Sequence, residues 1–356
     1  MPQSLPRFRD GFDRHLQGYL QKKIKNYAQM AEDPFLGKIV AYSEDLTLHG
    51  GKRIRPYLAN LGYHFLQAQT PTPVLRSFVA LELFHIFALI HDDIIDEGTV
   101  RHGIPAMHVK VEQLLQRAHR QGDAAHIGVS QALLLGDLLL AWATEIMTTL
   151  PSSVDAAWGE RARSLYFSMI DDVVLGQMID VDLTTKKCAT MAEIERKMML
   201  KTASYTFVRP LQIGAALAGA QKKQLEQLRK IGEPLGLAFQ IQDDLLDLTG
   251  TTKDIKKTVY CDLRDRQHTV FTQYIVEHGT PAQKRELQSL FGAALGEADR
   301  SRVLELFTAS GSFAYGKALS ESYFSQAERL GKNIVAPLAF KQELQELITY
   351  IQQRSL

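Results

Sequence analysis

The sequence predicts an all-α protein, and three observations carry that prediction. Proline-free intervals at 106–150, 152–209, 235–280 and 282–336 hold apolar residues at three- and four-residue spacing, the period of an amphipathic helix. Alternating runs of β-branched and aromatic residues, the mark of half-buried strands, are few. No glycine-rich strand-to-helix fingerprint is present, neither GxGxxG nor a phosphate loop, which disfavours a nucleotide-binding α/β fold.

In chain order, the helices are divided by short breaks. Glu32-Asp33-Pro34 ends the first, residues 69–73 carry two prolines, and residues 98–105 follow an intensely apolar run. Residues 113–126 are polar and read as helix plus surface loop. Further breaks fall at Pro151-Ser152-Ser153, 184–190, 250–254 and Gly279-Thr280-Pro281. No composition shift, low-complexity run or fixed-period repeat marks a boundary, so the reading is one helical domain over residues 1–356.

Composition narrows the function. Lys plus Arg number 41 against 40 Asp plus Glu, a net charge of +1, and no block of the chain is strongly basic, so nucleic acid is not an expected partner. With 45% hydrophobic and 23% charged residues the chain reads as an ordinary globular protein. Cys188 and Cys261 are its two cysteines, too few for a disulfide scaffold, which fits a reducing compartment. The most apolar stretches, 78–95 and 132–146, are interrupted by Glu82, His85, His91, Asp92, Asp137 and Glu145, so neither reads as a stable membrane insertion. The N-terminal residues lack the apolar region of a secretory signal, and a cytoplasmic protein is expected.

The informative motifs are two aspartate clusters about 150 residues apart: DDIID, with Asp92, Asp93 and Asp96, and DDLLD, with Asp243, Asp244 and Asp247. Positions i and i+4 of a helix differ by roughly 40°, so Asp92 and Asp96 share a face, as do Asp243 and Asp247. Each cluster follows a stretch too apolar to face solvent. Uncompensated carboxylates there would be costly, and hard cations such as Mg²⁺, which take carboxylate and phosphate oxygens, remove that cost. Two such faces opposite each other would hold several Mg²⁺ ions and a diphosphate. A single cluster of this kind is as readily a solvated helix end; the pair shifts the balance. Lys52, Arg53 and Arg55, in GGKRIRP after a Gly-Gly turn and before Pro56, suit a diphosphate not held by metal. Arg101 and the Lys201-Thr202 pair are further candidates, and Asp171-Asp172, which lacks a third aspartate at i+4, reads as structural.

GGKRIRP, HDDIIDEGTVRHG, GDLLLAW (136–142), GQMID (176–180), KTAS (201–204) and FQIQDDLLD (239–247) together resemble the trans-type isoprenyl diphosphate synthases, in their order and spacing over roughly residues 35–270. The resemblance implies a single large helical bundle around a central cavity, the isoprenoid synthase type, usually a homodimer. It further implies Mg²⁺-dependent head-to-tail condensation of isopentenyl diphosphate with an allylic diphosphate, with three ions in each active site. Carried onto this sequence, it makes Asp92, Asp96, Asp243 and Asp247 the metal residues, with Asp93 and Asp244 nearby. It assigns the allylic diphosphate to Arg101, Lys201, Gln240 and Lys257, and isopentenyl diphosphate to Lys52, Arg55, His85 and His102. Lys201, Thr202 and Gln177 would face the allylic cation.

Departures from the family pattern are specific. His102 stands where a second arginine is usual; histidine titrates near 6.5, so isopentenyl diphosphate affinity is what this places in question. Tyr260 replaces a glycine and Gln267 a common lysine, with Arg264 and Arg266 available to compensate. Phe84, Phe87 and Ala88, which precede Asp92 by eight, five and four residues, are the chain-length residues. An aromatic at the fifth position resembles geranylgeranyl diphosphate synthases, although ideal-helix geometry puts Phe87 about 140° from Asp92 and Phe84 about 80°. The reading is a twenty-carbon product, with farnesyl diphosphate next. A terpene cyclase and a regulatory subunit of a heteromeric prenyl synthase are the competing classes. GGKRIRP and the second aspartate cluster argue against the first, and the intactness of both clusters against the second.

Overall fold

The computed structural model describes residues 4–250 and 260–353. The chain opens with α1 (Ser4–Ala31), α2 (Pro34–Leu48), α3 (Ile54–His64), α4 (Thr72–Ser77) and α5 (Val79–Ile95). A hairpin of two short strands follows, β1 (Val100–Arg101) and β2 (Ile104–Pro105), then α6 (Met107–Arg117) and α7 (Ala124–Thr148). Next come α8 (Ala156–Thr184), α9 (Met191–Met198), a π-helical segment (Met199–Val208), α10 (Arg209–Leu217) and α11 (Lys222–Thr249). The chain ends with α12 (Cys261–Arg264), α13 (Val270–His278), α14 (Pro281–Leu290), a 3₁₀ turn (Glu297–Asp299), α15 (Arg300–Ala309), α16 (Ser312–Asn333) and α17 (Leu338–Gln352). The class is all-α, as the sequence predicts; among the described residues the hairpin is the sole sheet.

The expected breaks within the described residues fall where the sequence places them, for identifiable reasons; of the one expected at 250–254, residues 251–254 lie outside the described residues. Asp33 caps α2 by accepting the Phe35 N–H at 2.8 Å, with Pro34 at the first helical position. Thr190 and Glu193 form a reciprocal capping box that starts α9, and Thr280 caps α14 just before Pro281. The polar stretch at 113–126 resolves into the end of α6, a loop and the start of α7. Breaks outside the expected ones fall at 49–53, 218–221, 265–269 and 291–296, and α11 runs from Lys222 straight through Pro234. The proline forgoes one backbone hydrogen bond there, yet Gly232 and Gly236 on either side lie close against Val208 and Ala203, and that packing holds the helix in place.

The chain forms two compact units. Residues 4–60 and 69–155 make the first; residues 61–68, 156–250 and 260–353 make the second. In the first, α5 is the core helix: Leu81, Leu83, Phe84, Ile86, Phe87 and Ile90 are buried, and α7 packs along it. Each such side chain contributes about 1.5–3 kcal/mol by leaving water, which explains why so apolar a helix folds inward. In the second, α11 packs on α16 and on the π-helical segment, with Leu237, Ile241, Leu245, Phe271 and Phe307 in its core. By length and composition alone, two stretches of the described chain would span a membrane: Thr72–Ile95, whose most apolar window is 67% buried, and Ala124–Thr148, at 28%. The first is plainly core.

Candidate active site

The candidate residues fall into two groups, one in each unit. In the first, α5 carries His85, Ala88, Asp92 and Asp96 along a half-buried face, while Phe84, Phe87 and Asp93 are buried. The hairpin places the next two residues. Its turn is His102-Gly103, with φ of 53° and 86°, the two consecutive left-handed residues of a type I′ turn. Histidine tolerates such a φ better than most side chains, so the replacement of the usual arginine is compatible with this turn. Arg101, on β1, reaches back to α5 and donates from Nε at 2.9 Å and from Nη2 to Oδ1 of Asp93; its Nη2 also lies 3.8 Å from Asp92. Asp93 and its neighbours raise Arg101 above its ordinary value despite burial, so it is a fixed cation.

Gly50 lies against the His102 ring, which brings the GGKRIRP turn to the hairpin. Lys52 is exposed and Arg55 half-buried at the start of α3. His85 is held well below the usual histidine range by desolvation, and then by the charges of Arg55, Arg101, His102 and Arg53. Of the expected isopentenyl diphosphate residues, Arg55 and His102 are therefore gathered around His85, an imidazole crowded by cations, while Lys52 is exposed on the same turn as Arg55. Arg53, adjacent in sequence, is not among them: it is 2% exposed and turned inward. The rings of Phe84 and Phe87 meet at 5.4 Å, and Phe87 also meets His91 at 4.6 Å, while Ala88 is half-buried on the same face as Asp92.

In the second unit the π-helical segment sets the geometry. Its wider turns present Lys201 and Thr202, and α8 approaches so closely that a Cβ at Gly176 would collide with the Lys201 backbone nitrogen. Lys201 Nζ lies 2.6 Å from Asp180 Oδ2, and Lys197 Nζ 3.0 Å from Asp180 Oδ1. Burial opposes the charge on Asp180, but the two lysines win and hold it below the usual carboxylate range. Sequence reasoning gave roles to Gln177 and Lys201 and missed Asp180 and Lys197. The signal was present, since GQMID ends in Asp180 and Lys197 is one helical turn before Lys201.

Thr202 Oγ1 donates to Gln240 Oε1, and Gln240 Nε2 donates to Asp244 Oδ1 at 2.7 Å, so Gln240 links the π-helical segment to the second aspartate cluster. Gln177 keeps a buried Nε2 with no hydrogen-bond partner among the described residues. Asp244 is pushed up to about 7, first by burial and further by Asp243 and Asp247, with Lys197 and Gln240 opposing. Asp262, on α12, is raised well above the usual range by burial and then by Asp247 and Asp244. Asp247 accepts the Cys261 and Asp262 backbone N–H groups, each at 3.1 Å, and so fastens α12 to the end of α11. Lys257 lies outside the described residues. Arg264 is committed to a two-pronged pair with Asp265, at 2.6 and 2.7 Å, and Arg266 stacks on Phe291; neither is poised as the expected compensation for Gln267.

These donors fit Mg²⁺. All are carboxylate oxygens, and the second cluster crowds like charges in a desolvated place that a cation would relieve. Mg²⁺ commonly takes one or two carboxylates and completes its shell with water and substrate phosphate, and a cluster of this kind offers such carboxylates.

The pattern of the Polyprenyl synthetase family matches residues 37–308. The short chain isoprenyl diphosphate synthase of Methanocaldococcus jannaschii is 30% identical over 281 residues, 79% of this chain and 78% of that protein. The (2E,6E)-farnesyl diphosphate synthase of Mycobacterium bovis is 30% identical over 344 residues, 92% and 89% of the two chains. A crystal structure of geranylgeranyl pyrophosphate synthase from Corynebacterium glutamicum, complexed with isoprenyl diphosphate and magnesium, superposes with a TM-score of 0.92 at 27% identity, covering 98% of this chain and 99% of that one. With the motifs ordered along the matched span and the helical fold in common, the chain belongs to the polyprenyl synthetase family and is a prenyltransferase, a short-chain isoprenyl diphosphate synthase.

Proposed function

We propose that this enzyme condenses isopentenyl diphosphate with an allylic diphosphate to all-trans geranylgeranyl diphosphate, working as a homodimer in the cytoplasm with its two units forming one catalytic domain. The observation that carries the reading is the opposite charge imbalance of the two groups: cations crowd His85, and carboxylates crowd Asp244. The first calls for a diphosphate and the second for a divalent cation, the two components of this reaction.

Asp92 and Asp96 on α5, and Asp243 with Asp247 on α11, would hold Mg²⁺, three ions in the family's pattern. When bound, Mg²⁺ supplies electrostatic stabilisation of the departing diphosphate. Arg101, fixed by Asp93, and Lys201, fixed by Asp180, hold the allylic diphosphate along with Gln240 and Lys257; these cations favour the charge that develops as the allylic C–O bond breaks. Lys52, Arg55, His85 and His102 orient isopentenyl diphosphate so that its alkene attacks the allylic cation. The Lys201 carbonyl, Thr202 hydroxyl and Gln177 amide line that cation, and the new bond is completed when a proton passes to the released diphosphate. Closing the site against water would protect the cation from capture as an alcohol.

The geranylgeranyl assignment rests on Phe87 with Ala88 ahead of Asp92, and on the likeness to the Corynebacterium glutamicum enzyme. A farnesyl product is favoured by the touching pair of Phe84 and Phe87 rings and by the Mycobacterium bovis relative. A homodimer is supported by apolar side chains that face solvent: Phe167, Val174, Met178 and Val181 form a stripe along α8, and Leu133 and Leu134 project from α7. The test is incubation of the purified chain with Mg²⁺, labelled isopentenyl diphosphate and, separately, dimethylallyl, geranyl and farnesyl diphosphates, followed by chromatography of the dephosphorylated products. Twenty-carbon alcohol is the expected result; fifteen-carbon alcohol moves the assignment to farnesyl diphosphate, and no incorporation with any primer rejects it.

A further inference from the structure

Lys52, Arg53 and Arg55 arrive as one basic run, yet they diverge. Lys52 is exposed and Arg55 half-buried, while the Arg53 guanidinium is enclosed between two carboxylates from helices far apart in sequence. Its Nε lies 2.6 Å from Asp13 Oδ1 on α1, and its Nη1 2.8 Å from Glu82 Oε1 on α5. The side chains of Arg53 and Glu82 are 1% and 3% exposed. To reach them the backbone takes an unusual path: Gly50, Gly51 and Arg53 all have positive φ, at 86°, 77° and 54°. Gly51 is required by close approach as well, because a Cβ there would stand 2.5 Å from Arg53 Nη1. The Arg53 carbonyl then accepts the Tyr57 N–H at 3.0 Å and starts α3. A left-handed arginine immediately before a helix is held there only if its surroundings over-determine it.

We propose that Arg53, clamped by Asp13 and Glu82, is a positioning residue that sets Lys52 and Arg55 for the diphosphate of isopentenyl diphosphate, and that α1 serves the active site through Asp13. This rests on the proposed function. Two observations and a general principle support it. Glu82 is one helical turn from His85 on α5, so a single buried carboxylate fixes the turn relative to the helix that carries His85. Arg55 lies close enough for its charge to act on Glu82 as well, after burial and the larger effect of Arg53. A buried ion network adds little net stability over apolar packing of the same shape, and its best-attested use is to fix register. Here the register fixed is that of the Gly50–Arg55 turn.

The test compares wild type with Arg53→Lys, which keeps the charge but reaches one carboxylate, and with Asp13→Asn on the partly exposed side of the clamp, which leaves the turn's sequence untouched. Steady-state constants for each substrate and the fraction of active protein are measured for all three. The expected result is a KM for isopentenyl diphosphate raised about tenfold in Arg53→Lys and about threefold in Asp13→Asn, with kcat and the allylic KM within about twofold. The double variant should be no worse than Arg53→Lys alone, because both changes break one device. If Arg53→Lys does not fold, the Asp13→Asn shift decides. An unchanged KM with a reduced active fraction, or an equal loss for both substrates, overturns the proposal and leaves the clamp a structural tie. Wild-type protein that turns over no substrate overturns the functional reading, and this inference with it; active wild type with unchanged variants overturns this inference alone.

Discussion

Asp93 and Asp244 hold the same place in two near-identical motifs, each the buried middle carboxylate between two half-buried ones, yet their partners differ. Asp93 takes both Nε and Nη2 of Arg101, whereas Asp244 receives the amide of Gln240 and stands among Asp243, Asp247 and Asp262. The first region is consequently rich in fixed cations and the second in crowded carboxylates. A repeated motif therefore does not mean a repeated site. The local surroundings set a fixed cation beside the middle carboxylate of one copy and further carboxylates around that of the other, and the contrast is open to direct attack.

The largest expected effect comes from removing the outer carboxylates. Asp92→Ala and Asp243→Ala should each lower kcat by at least about 10³-fold, roughly 4 kcal/mol in the barrier, with unchanged circular dichroism. Near-wild-type turnover in either would erase its motif from the metal assignment. Next in size is the response to ligands added singly. Mg²⁺ alone should raise the melting temperature through the two aspartate clusters, and inorganic diphosphate without metal through the basic residues of the first region. At about a hundredfold excess over Kd each binding is worth about 2.7 kcal/mol, or roughly 3–6 °C in a chain of this size. Asp243→Ala should reduce the Mg²⁺ shift and spare the diphosphate shift, and Arg55→Ala should spare the first and reduce the second. Loss of both shifts in both variants would mean the charges do not divide as described.

A smaller effect concerns pH. His85 is held well below its ordinary value by desolvation and by Arg55, Arg101, His102 and Arg53. In the unfolded chain it titrates near 6.5, so its contribution to stability is fully present above about 6.5 and is lost as pH falls below that. Ligand-free wild type should therefore lose more thermal stability between pH 7 and pH 5 than His85→Asn, and inorganic diphosphate should narrow the gap by offsetting the cations. Parallel slopes for the two proteins would show that the crowding around His85 is slight.

The helices and their breaks were legible because capping residues, prolines and apolar spacing are local signals: Asp33-Pro34, Thr190 with Glu193, and Thr280-Pro281 each mark a start that the fold uses. The i and i+4 aspartates were legible for the same reason. The π-helical segment was not, since Met199–Val208 has the composition of an ordinary helix; in the fold Gly176 and Gly236 of two neighbouring helices lie close against its Lys201 and Ala203. Nor was the hairpin, whose strands are too short to alternate. Arg53 was read with Lys52 and Arg55 because a buried arginine looks like an exposed one until its carboxylates, 40 and 29 residues away, are brought to it.

The smallest expected effect on rate separates what each region controls. Product length should belong to the first region, since Phe84, Phe87 and Ala88 lie on the helix that ends in Asp92. Phe87→Ala should therefore add one isoprene unit to the product, with kcat changed by no more than a few-fold, whereas Thr202→Ala in the second region should lower kcat about tenfold and leave product length unchanged. The touching rings of Phe84 and Phe87 make the outcome informative either way. If Phe87 alone forms the floor, Phe84→Ala is silent and the double variant matches Phe87→Ala. If Phe87 leaves the product unchanged and Phe84→Ala lengthens it, the floor lies on the side of α5 that ideal-helix geometry favours, about 80° from Asp92 and not 140°. A longer product from Thr202→Ala would break the division of labour between the two regions, because a side chain hydrogen-bonded to Gln240 has no part in α5.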